Sequence, residues 1–432
     1  MSSDLTSVPS GLLDRAAGSL LAATPDAARR LDALTRAQAM TAPAIDAEDW
    51  RYSRIEDLDL GRFALQVRPV VDSAPDPLRA IVTERAATVE VVNGFISLVS
   101  LDPEWAARGL QVGPATSSAS RADRPESEDP TIFDALHLAL APDAVRVVAP
   151  PGLVVDAPIV ILSHQAPAAG PAPAASFPHI SVEVGDNASL TVLEYQTSSD
   201  GSGLSVPLVE LAVGPSGRLA YATVQNLAAG HWQIGRQVSS VAQQGTLTSS
   251  CASFGGSYGR LRFDTTLAGR GAHGDLIAVY YGDLDQMHDF RTFQHHSAQD
   301  TTSDLLFKGV VDDHSSSVYT GLIHIHPEGR GSNAHQTNRN IKLSDDAWAW
   351  SVPNLEIENS DVRCSHASAV SPIDDEQRFY LHARGVPPTE ADQLIIAGFF
   401  EDVIGRMPSS LQDAISSLVA AKLARRLQGN QS

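Results

Sequence analysis

The middle of the chain alternates short apolar runs with polar breaks. From Val145 to about Ser371, runs rich in Val, Ile, Thr, Tyr and Phe recur about every ten to twelve residues between Gly, Asp, Asn or Ser. No helical pattern interrupts this array, which excludes a βαβ construction because its parallel strands need crossover helices. We predict strands at Ile180 to Val184, Ser189 to Tyr195, Leu208 to Val213, Arg218 to Gln225, Thr246 to Ser253, Arg260 to Thr266, Leu276 to Tyr281, Asp304 to Val311 and Val318 to His326.

Helical patterns flank this array. Residues 10–40 are rich in Ala and Leu at helical spacing, and Thr24-Pro25-Asp26 predicts the start of a second helix. A short helix is predicted around Phe133 to Ala141, and two amphipathic helices follow Thr389, separated by Pro408-Ser409. Their predicted apolar stripes are Ala391, Leu394, Ile395, Gly398 and Phe399, then Leu411, Ile415, Leu418, Val419 and Lys422. Such helices cap an array or offer a surface to a partner.

The length of the array limits its fold. A β-sandwich uses about 100 residues, whereas this array continues for more than 200, so it requires two sandwiches or one solenoid. A flattened parallel β-helix, with two strands per coil of about 20 to 24 residues, fits the spacing with one continuous core. We therefore predict a mainly β protein with an N-terminal helical or mixed region at 1–130 that includes a linker at 114–130, a parallel β-helix core at 131–385 and a C-terminal helical domain at 386–432.

The chain is acidic, with 31 Lys and Arg against 51 Asp and Glu and a net charge of −20. Nucleic acids and anionic membranes need clustered cations, so neither is an expected partner. Asp4 argues against a secretory signal, and no apolar run approaches the roughly 18 residues that span a bilayer. Two cysteines, Cys251 and Cys364, favour a reducing compartment, and we expect a cytoplasmic protein.

Two motif comparisons argue against catalysis by this chain. None of its lysines, Lys308, Lys342 and Lys422, belongs to a glycine-rich phosphate loop, so we expect it to bind no nucleotide. Gly255 to Gly259 matches the G-x-S-x-G pattern, but a strand rather than a helix is predicted after it. This context favours a glycine-rich turn over a nucleophile elbow.

Four residues with metal-binding chemistry follow one another late in the array: His324, His326, Glu328 and His335. His324 and His326 lie two apart on a predicted strand and share a face, as the ligands of a divalent metal ion would. Pro327 ends that strand at once, which favours the simpler interpretation of exposed histidines beside a turn. His295 and His296 point to opposite faces, cannot chelate as a pair without another strand, and are predicted to be structural.

Cys364-Ser365-His366 combines a thiol and an imidazole. In an extended segment Cys364 and His366 project to one side and Ser365 to the other. These ligand types suit iron or zinc, yet they make only half of a four-coordinate site. A metal held here needs ligands from another chain, and the alternative for Cys364 is an ordinary packed thiol.

Further motifs extend the pattern over most of the chain. They are Glu48 to Ser53, Ala135 to Gly152, Phe307 to Asp313, Gln336 to Asn340, Pro353 to Ile357, Asp361 to His366 and Phe379 to Gly385. In this order they resemble the SufB/SufD proteins of the SUF iron-sulfur cluster assembly system, and within that family the SufD branch.

The resemblance implies a right-handed parallel β-helix between helical terminal regions. It also implies a non-catalytic scaffold subunit of a SufB-SufC-SufD complex, in which SufD-like chains pair with SufB through the β-helix and dock the SufC ATPase through the C-terminal helices. An iron-sulfur cluster would form transiently at the interface with SufB. The Cys-Ser-His motif makes His366 the candidate ligand there, and Cys364 is a second candidate.

Two departures from the family pattern refine this assignment. Leu343-Ser344-Asp345 stands where SufB-like chains carry Cys-Asp-Ser, so Ser344 replaces a scaffold thiolate and the SufD branch is favoured. His366-Ala367-Ser368-Ala369 replaces the usual His-Gly-Ala-Thr but keeps the imidazole. The alternatives are a self-contained metal-binding enzyme that uses His324, His326 and His335 on a β scaffold, and a purely structural solenoid adaptor.

Overall fold

The computed structural model describes residue 12 and residues 26–65, 73–115, 130–168 and 170–429. The first predicted N-terminal helix and the linker predicted at 114–130 lie almost wholly outside these ranges. The helices are α1 (Ala27–Ala39), α2 (Pro103–Ala107), α3 (Ile132–Leu140), α4 (Asp375–Ala383), α5 (Pro388–Ile404) and α6 (Ser409–Gly429), with short 3-10 helices at Glu48–Trp50, Ile55–Asp57 and Leu60–Arg62. The second predicted N-terminal helix is α1, and Asp26 is its N-cap residue.

The strands occupy most of the remaining described residues. They are β1 (Ala64–Leu65), β2 (Ala87–Val92), β3 (Phe95–Leu101), β4 (Gln111–Pro114), β5 (Val145–Ala149), β6 (Ile159–Gln165), β7 (Ala174–Ser176), β8 (His179–Val184), β9 (Ser189–Ser198), β10 (Ser202–Ser205), β11 (Leu208–Val213), β12 (Arg218–Asn226), β13 (Gly230–Val241), β14 (Thr246–Ser253), β15 (Tyr258–Leu267), β16 (His273–Gly282), β17 (Met287–His296), β18 (Thr302–Val311), β19 (Ser316–Ile325), β20 (Asn333–Lys342), β21 (Trp348–Ile357) and β22 (Arg363–Ser371). The nine strands predicted above are all present.

Two sheets form the body of the molecule. The first sheet has the order β21-β19-β17-β15-β13-β11-β8-β5-β4, with β10, β7 and β1 joined at its side. The second has the order β22-β20-β18-β16-β14-β12-β9-β6-β2-β3. From β11 onward successive strands alternate between the sheets, and neighbours within each sheet are parallel. The chain is therefore a parallel β-solenoid of about seven turns, which confirms the predicted fold class.

Each coil is longer than predicted. Tyr258 pairs with Met287, and Met287 pairs with Ser316, so 29 residues separate equivalent positions. The predicted coil of about 20 to 24 residues is therefore wrong. Strands β15, β17 and β19 are each ten residues long. They exceed the apolar runs in the sequence because buried polar residues such as Gln294 and His296 extend them.

Helical layers cover the outer faces of both sheets rather than the end of the solenoid. In the N-terminal layer, Trp50 packs in one cluster with Tyr258 of the first sheet. In the C-terminal layer, Phe400 of α5 and Ile415 of α6 pack in one cluster with Val310 of the second sheet. Among the described helices, none combines the length and the apolar character needed to cross a bilayer.

The apolar stripe predicted for α5 is wrong at its centre. Leu394 is 51% exposed, and the face turned to the sheet carries Ile396, Phe400 and Val403. The stripe predicted for α6 is confirmed at four of its positions, which are buried: Leu411, Ile415, Val419 and Lys422.

A buried carboxylate anchors the N-terminal region to the first sheet. Asp289 of β17 accepts from Arg260 at 2.9 Å and from Arg291 at 2.6 Å. Burial alone would raise the pKa of Asp289, but the two guanidinium groups hold that pKa below its ordinary value. Both arginines also donate outward, Arg260 to the carbonyl of Asp49 and Arg291 to the carbonyl of Arg51. The strand and the N-terminal segment are thereby joined through charge-assisted hydrogen bonds.

Candidate functional site

The solenoid ends in two strands that have a partner on one side only. β21 pairs with β19 and β22 pairs with β20, and neither has a second neighbour among the described strands. We call this pair of strands the open end. Its exposed large apolar side chains are Trp348, Trp350, Leu355, Ile357 and Val370. Unpaired strand edges beside exposed apolar side chains are typical of a surface that another chain covers.

The two residues predicted as ligands lie on β22 at this open end. Cys364 is in register with Ala334 and His366 with Gln336, and both partners on β20 are buried. Side chains in register on parallel strands share a face, so Cys364 and His366 continue the row that points into the solenoid. Ser365 projects to the other side, where its hydroxyl lies 2.7 Å from Nδ1 of His335. The structure thus places Cys364 and His366 on one face, as the sequence predicted.

Cys364 is half-buried and packs as an apolar residue. It contacts the cluster formed by Ile323, Ile325 and Ala334. Burial raises the pKa of the Cys364 thiol above its ordinary value, so the neutral thiol predominates at neutral pH. In the isolated chain this residue is therefore an unreactive thiol rather than a prepared thiolate ligand.

His366 is exposed at the edge of the sheet. The described residues contain a single group of three or more His, Cys, Asp or Glu side chains close enough to share a metal ion, and neither His366 nor Cys364 belongs to it. A four-coordinate metal or cluster bound by His366 would therefore take at least two of its ligands from outside the described part of this chain.

The second cysteine has no access to solvent. Cys251 lies on β14 inside the solenoid and is 1% exposed. Burial and, to a smaller extent, the nearby Glu194 carboxylate raise the pKa of Cys251 to about 12. This thiol is protonated at neutral pH and does not form part of a reactive site.

Three histidines converge on the outer face of the first sheet. His295 of β17 and His324 of β19 are directly in register, and His326 follows the end of β19. The ring centroids of His324 and His326 are 3.9 Å apart. The ring centroid of His295 lies 5.8 Å from that of His324 and 5.7 Å from that of His326. Each ring offers one nitrogen, and the three nitrogens lie within 4.8 Å of one another. We call these residues the three-histidine cluster.

This cluster corrects the ligand set predicted from the sequence. His335 is not part of it, because His335 lies on β20 of the second sheet and contacts Ser365. His295 takes its place, although it was predicted to be structural. His296 does point to the opposite face, where its ring nitrogens contact Thr301 at 2.8 Å and Ser303 at 2.9 Å. The signal in the sequence was the 29-residue spacing of His295 and His324, which is the length of one coil.

Two other sequence motifs have structural roles. Ser257, at the centre of the G-x-S-x-G match, lies in the turn between β14 and β15, and strand β15 follows it. Its hydroxyl donates to the carbonyl of His231 on β13. The interpretation as a turn is confirmed. Ser344 donates to the carbonyl of Asp313 and accepts from the amide of Ala347 at 3.1 Å. It therefore closes the turn between β20 and β21.

Comparison with known proteins agrees with the fold and with the motifs. The family model described as SUF system FeS cluster assembly, SufBD core domain, matches residues 160–399. An iron-sulfur cluster assembly SufBD family protein of Mycobacterium tuberculosis is 29% identical over 294 residues, which are 66% of this chain and 70% of that protein. The iron-sulfur cluster assembly protein SufD of Bacillus subtilis is 27% identical over 63% of this chain and 62% of its own. SufD of Escherichia coli is 24% identical over 94% of this chain and 93% of its own.

Proposed function

The chain belongs to the SufBD family of the SUF system of iron-sulfur cluster assembly, and from this premise we propose that it is a non-catalytic scaffold subunit. In this role it pairs with a SufB-like chain through the open end and contributes His366 to a cluster-forming site that the two chains share. The cluster is the cargo of this site rather than a resident cofactor. A SufC-like ATPase docks on the C-terminal helices and supplies the nucleotide chemistry.

The position of His366 carries this proposal. The imidazole continues an inward row of side chains, yet it is exposed because no strand follows β22 among the described residues. A related solenoid docked on this end would bury the imidazole and bring its own ligands to it. One imidazole beside a neutral thiol is an incomplete ligand set, and a shared site completes it.

The edge of β22 is suited to such pairing. The amide of Arg363 donates to the carbonyl of Ser332, toward β20. Because alternate residues of a parallel strand point their amides to the same neighbour, the amides of His366 and Ser368 point outward. An extended segment of a partner can use these outward groups to continue the sheet. On β21, Pro353 occupies an outward-pointing position, where its missing amide costs no bond within the sheet.

The C-terminal helices have the features of a docking surface for a second partner. Helices α4 and α5 carry three exposed apolar side chains: Phe379 (74% exposed) and Tyr380 (56%) on α4, and Leu394 (51%) on α5. Helix α5 is tied to the solenoid, and α4 is tied to α5 by the ion pair of Arg378 with Asp392. Lys308 of β18 places Nζ 2.5 Å from Oδ1 of Asp402 and donates to the carbonyl of Phe399 at 2.8 Å. Movement of a partner bound to α4 and α5 would therefore be transmitted to the second sheet, which carries His366.

Replacement of His366 tests the shared site. We expect His366→Ala to leave the melting temperature and the association with a SufB-like chain nearly unchanged, because the side chain is exposed. The iron and acid-labile sulfide recovered with the complex should fall several-fold. His335→Ala is the matched control, since His335 is also an exposed imidazole at this end but projects to the opposite face.

The two variants are compared in the co-purified complex by iron and sulfide analysis. Undiminished iron and sulfide with His366→Ala would remove the imidazole from the site. An equal loss with His335→Ala would show that the effect arises from disturbance of the open end rather than from ligation. A single chain that assembled and transferred clusters without partners would contradict the scaffold role as a whole.

A further inference from the structure

We propose that the three-histidine cluster, His295, His324 and His326, is a binding site for one divalent first-row transition metal ion. It is separate from the site proposed for His366: the cluster lies on the outer face of the first sheet, whereas His366 is on the second sheet. The observation behind it is the convergence of three ring nitrogens within 4.8 Å of one another.

The geometry needs only a small side-chain adjustment to bind a metal ion. A tetrahedral ion with metal-nitrogen bonds of about 2.0 to 2.1 Å holds its nitrogen ligands about 3.4 Å apart. The nitrogens of the cluster are within 4.8 Å, so rotations of the rings about their side-chain bonds close the remaining distance. All three rings are partly buried, which leaves a path for the ion from solvent.

The backbone holds the three histidines in place. His295 and His324 are neighbours in the ladder between β17 and β19, whose other faces are buried in the solenoid. The amide of His326 donates to the carbonyl of His296 at 3.1 Å, and the carbonyl of His326 accepts from Gly329 at 2.9 Å. A side chain at Gly329 would come within 2.8 Å of the carbonyl oxygen of His296, so this tight turn requires glycine.

A carboxylate supports the cluster. Oε1 of Glu358, just beyond the end of β21, lies 2.7 Å from Nε2 of His324. When Nε2 donates its proton to Glu358, the tautomer of His324 is fixed and Nδ1 keeps its lone pair for a metal. The arrangement is a carboxylate-histidine pair of the kind that orients metal ligands. The negative charge of Glu358 also offsets part of the charge of a divalent cation.

The donor set selects the class of ion. Imidazole nitrogens suit Zn²⁺, Fe²⁺ and their first-row neighbours, whereas Mg²⁺ and Ca²⁺ prefer oxygen ligands. Within the first row, nitrogen sites bind Zn²⁺ more tightly than Fe²⁺. The site therefore accepts both ions, and the two are compared as separate arms of one experiment.

The test uses the full-length chain and measures bound metal by equilibrium dialysis, with Zn²⁺ in air and Fe²⁺ without oxygen. We expect one ion per wild-type chain in each arm, with Zn²⁺ the tighter. His295→Ala and His324→Ala should each weaken binding by about tenfold or more, and Glu358→Gln by about 10- to 100-fold. His335→Ala and His366→Ala should bind as the wild type does. Replacement of Zn²⁺ by Co²⁺ should give the visible absorption of a four-coordinate ion, lost in His324→Ala.

Melting temperatures in metal-free buffer establish that the variants are folded. If an Ala variant does not fold, Glu358→Gln still tests the site. Failure of the wild type to bind either ion would overturn the proposal, as would undiminished binding in both His295→Ala and His324→Ala. Loss of the ion in His366→Ala but not in His324→Ala would assign it to the open end instead. A negative result leaves the role proposed for His366 unaffected, because His366→Ala is scored by the cluster content of the complex.

Discussion

Lys422 of α6 places its Nζ 2.5 Å from Oδ1 of Asp283, in the turn between β16 and β17. Nζ also donates to Oε1 of Gln286 at 2.6 Å, and the lysine is 4% exposed. Burial lowers the pKa of Lys422 to about 8 despite the attraction of Asp283, so the ion pair is formed at neutral pH. Arg425 contacts the other carboxylate oxygen of Asp283 at 2.9 Å. One buried carboxylate thus fixes the last helix to the solenoid.

Replacement of Lys422 should weaken the attachment of α6 to the solenoid. Lys422→Met keeps the aliphatic volume but leaves Asp283 with Arg425 alone, and removal of one partner from a buried pair costs about 3 to 5 kcal/mol in the free energy of unfolding. Urea denaturation at pH 7 measures this loss. Arg330→Ala, which breaks an ion pair whose side chains are 71% and 68% exposed, is the control and should have no measurable effect. Equal stability of Lys422→Met and the wild type would show that the pair does not hold the helix.

The edge of β22 allows a matched pair of proline variants. Ser368→Pro removes an amide that points outward, whereas Ala367→Pro removes one that faces β20. We expect Ser368→Pro to keep the wild-type melting temperature and to weaken binding of a SufB-like chain by about tenfold or more, or about 1.4 kcal/mol. Ala367→Pro should lower the melting temperature because it breaks the ladder. Thermal unfolding measures the melting temperatures, and titration with the partner measures the affinity. Wild-type affinity of Ser368→Pro would exclude strand pairing at this edge.

The exposed apolar side chains of α4 and α5 should be required for association with a SufC-like ATPase. Phe379→Ser and Leu394→Ser change residues that are 74% and 51% exposed, so the fold should be maintained while apolar contact area is lost to the partner. Pull-down of the ATPase from a defined mixture measures the effect. Leu98→Ser on β3, where Leu98 is 44% exposed, is the control. Retention of the ATPase by the Phe379→Ser/Leu394→Ser double variant would place the contact elsewhere.

The apolar pattern was sufficient to predict the solenoid but not the length of its coils. β8 and β11 are visible in the sequence because Val, Ile and Leu dominate them. β17 reads MHDFRTFQHH and β20 reads NAHQTNRNIK. In these strands polar side chains are buried inside the solenoid, so they interrupt the apolar pattern. Asn340, for example, donates to Asn338 at 2.9 Å, and both side chains are buried.

The same error explains why the sequence grouped His335 with His324 and His326. The sequence identified His324 and His326 from their spacing along one strand, but His295 is brought to them by pairing between coils. That pairing is a property of the coil length, which the apolar runs did not predict. His366 was proposed by a different route, through a motif that matches a known family, and its exposure arises because no strand follows β22 in the described part of the chain. Local spacing predicts ligands on one strand, whereas ligands on neighbouring strands require the register.

A buried imidazole makes the stability of the fold dependent on pH. His288 of β17 is completely buried, with Nδ1 3.0 Å from the hydroxyl of Ser253. Burial and then the charge of Lys422 lower the pKa of His288 to about 3 from its ordinary 6.5. Between pH 6.5 and 3 the unfolded chain binds a proton here that the folded chain does not. The free energy of unfolding therefore decreases as the pH falls through this range.

Removal of the titrating group should reduce this dependence. Relative to pH 7, the contribution of His288 at pH 5 is a loss of about 2 kcal/mol, so His288→Asn should lower the difference in the free energy of unfolding between pH 7 and pH 5 by that amount. Urea denaturation at the two pH values measures it, even if the substitution itself lowers stability at both. His314→Asn, at a histidine whose side chain is 70% exposed, controls for the loss of an imidazole. A buried imidazole that stays neutral must contribute to the pH dependence of the free energy of unfolding. If the difference between pH 7 and pH 5 were the same in His288→Asn as in the wild type, the folded chain would have to accept the proton on His288 by rearranging its interior.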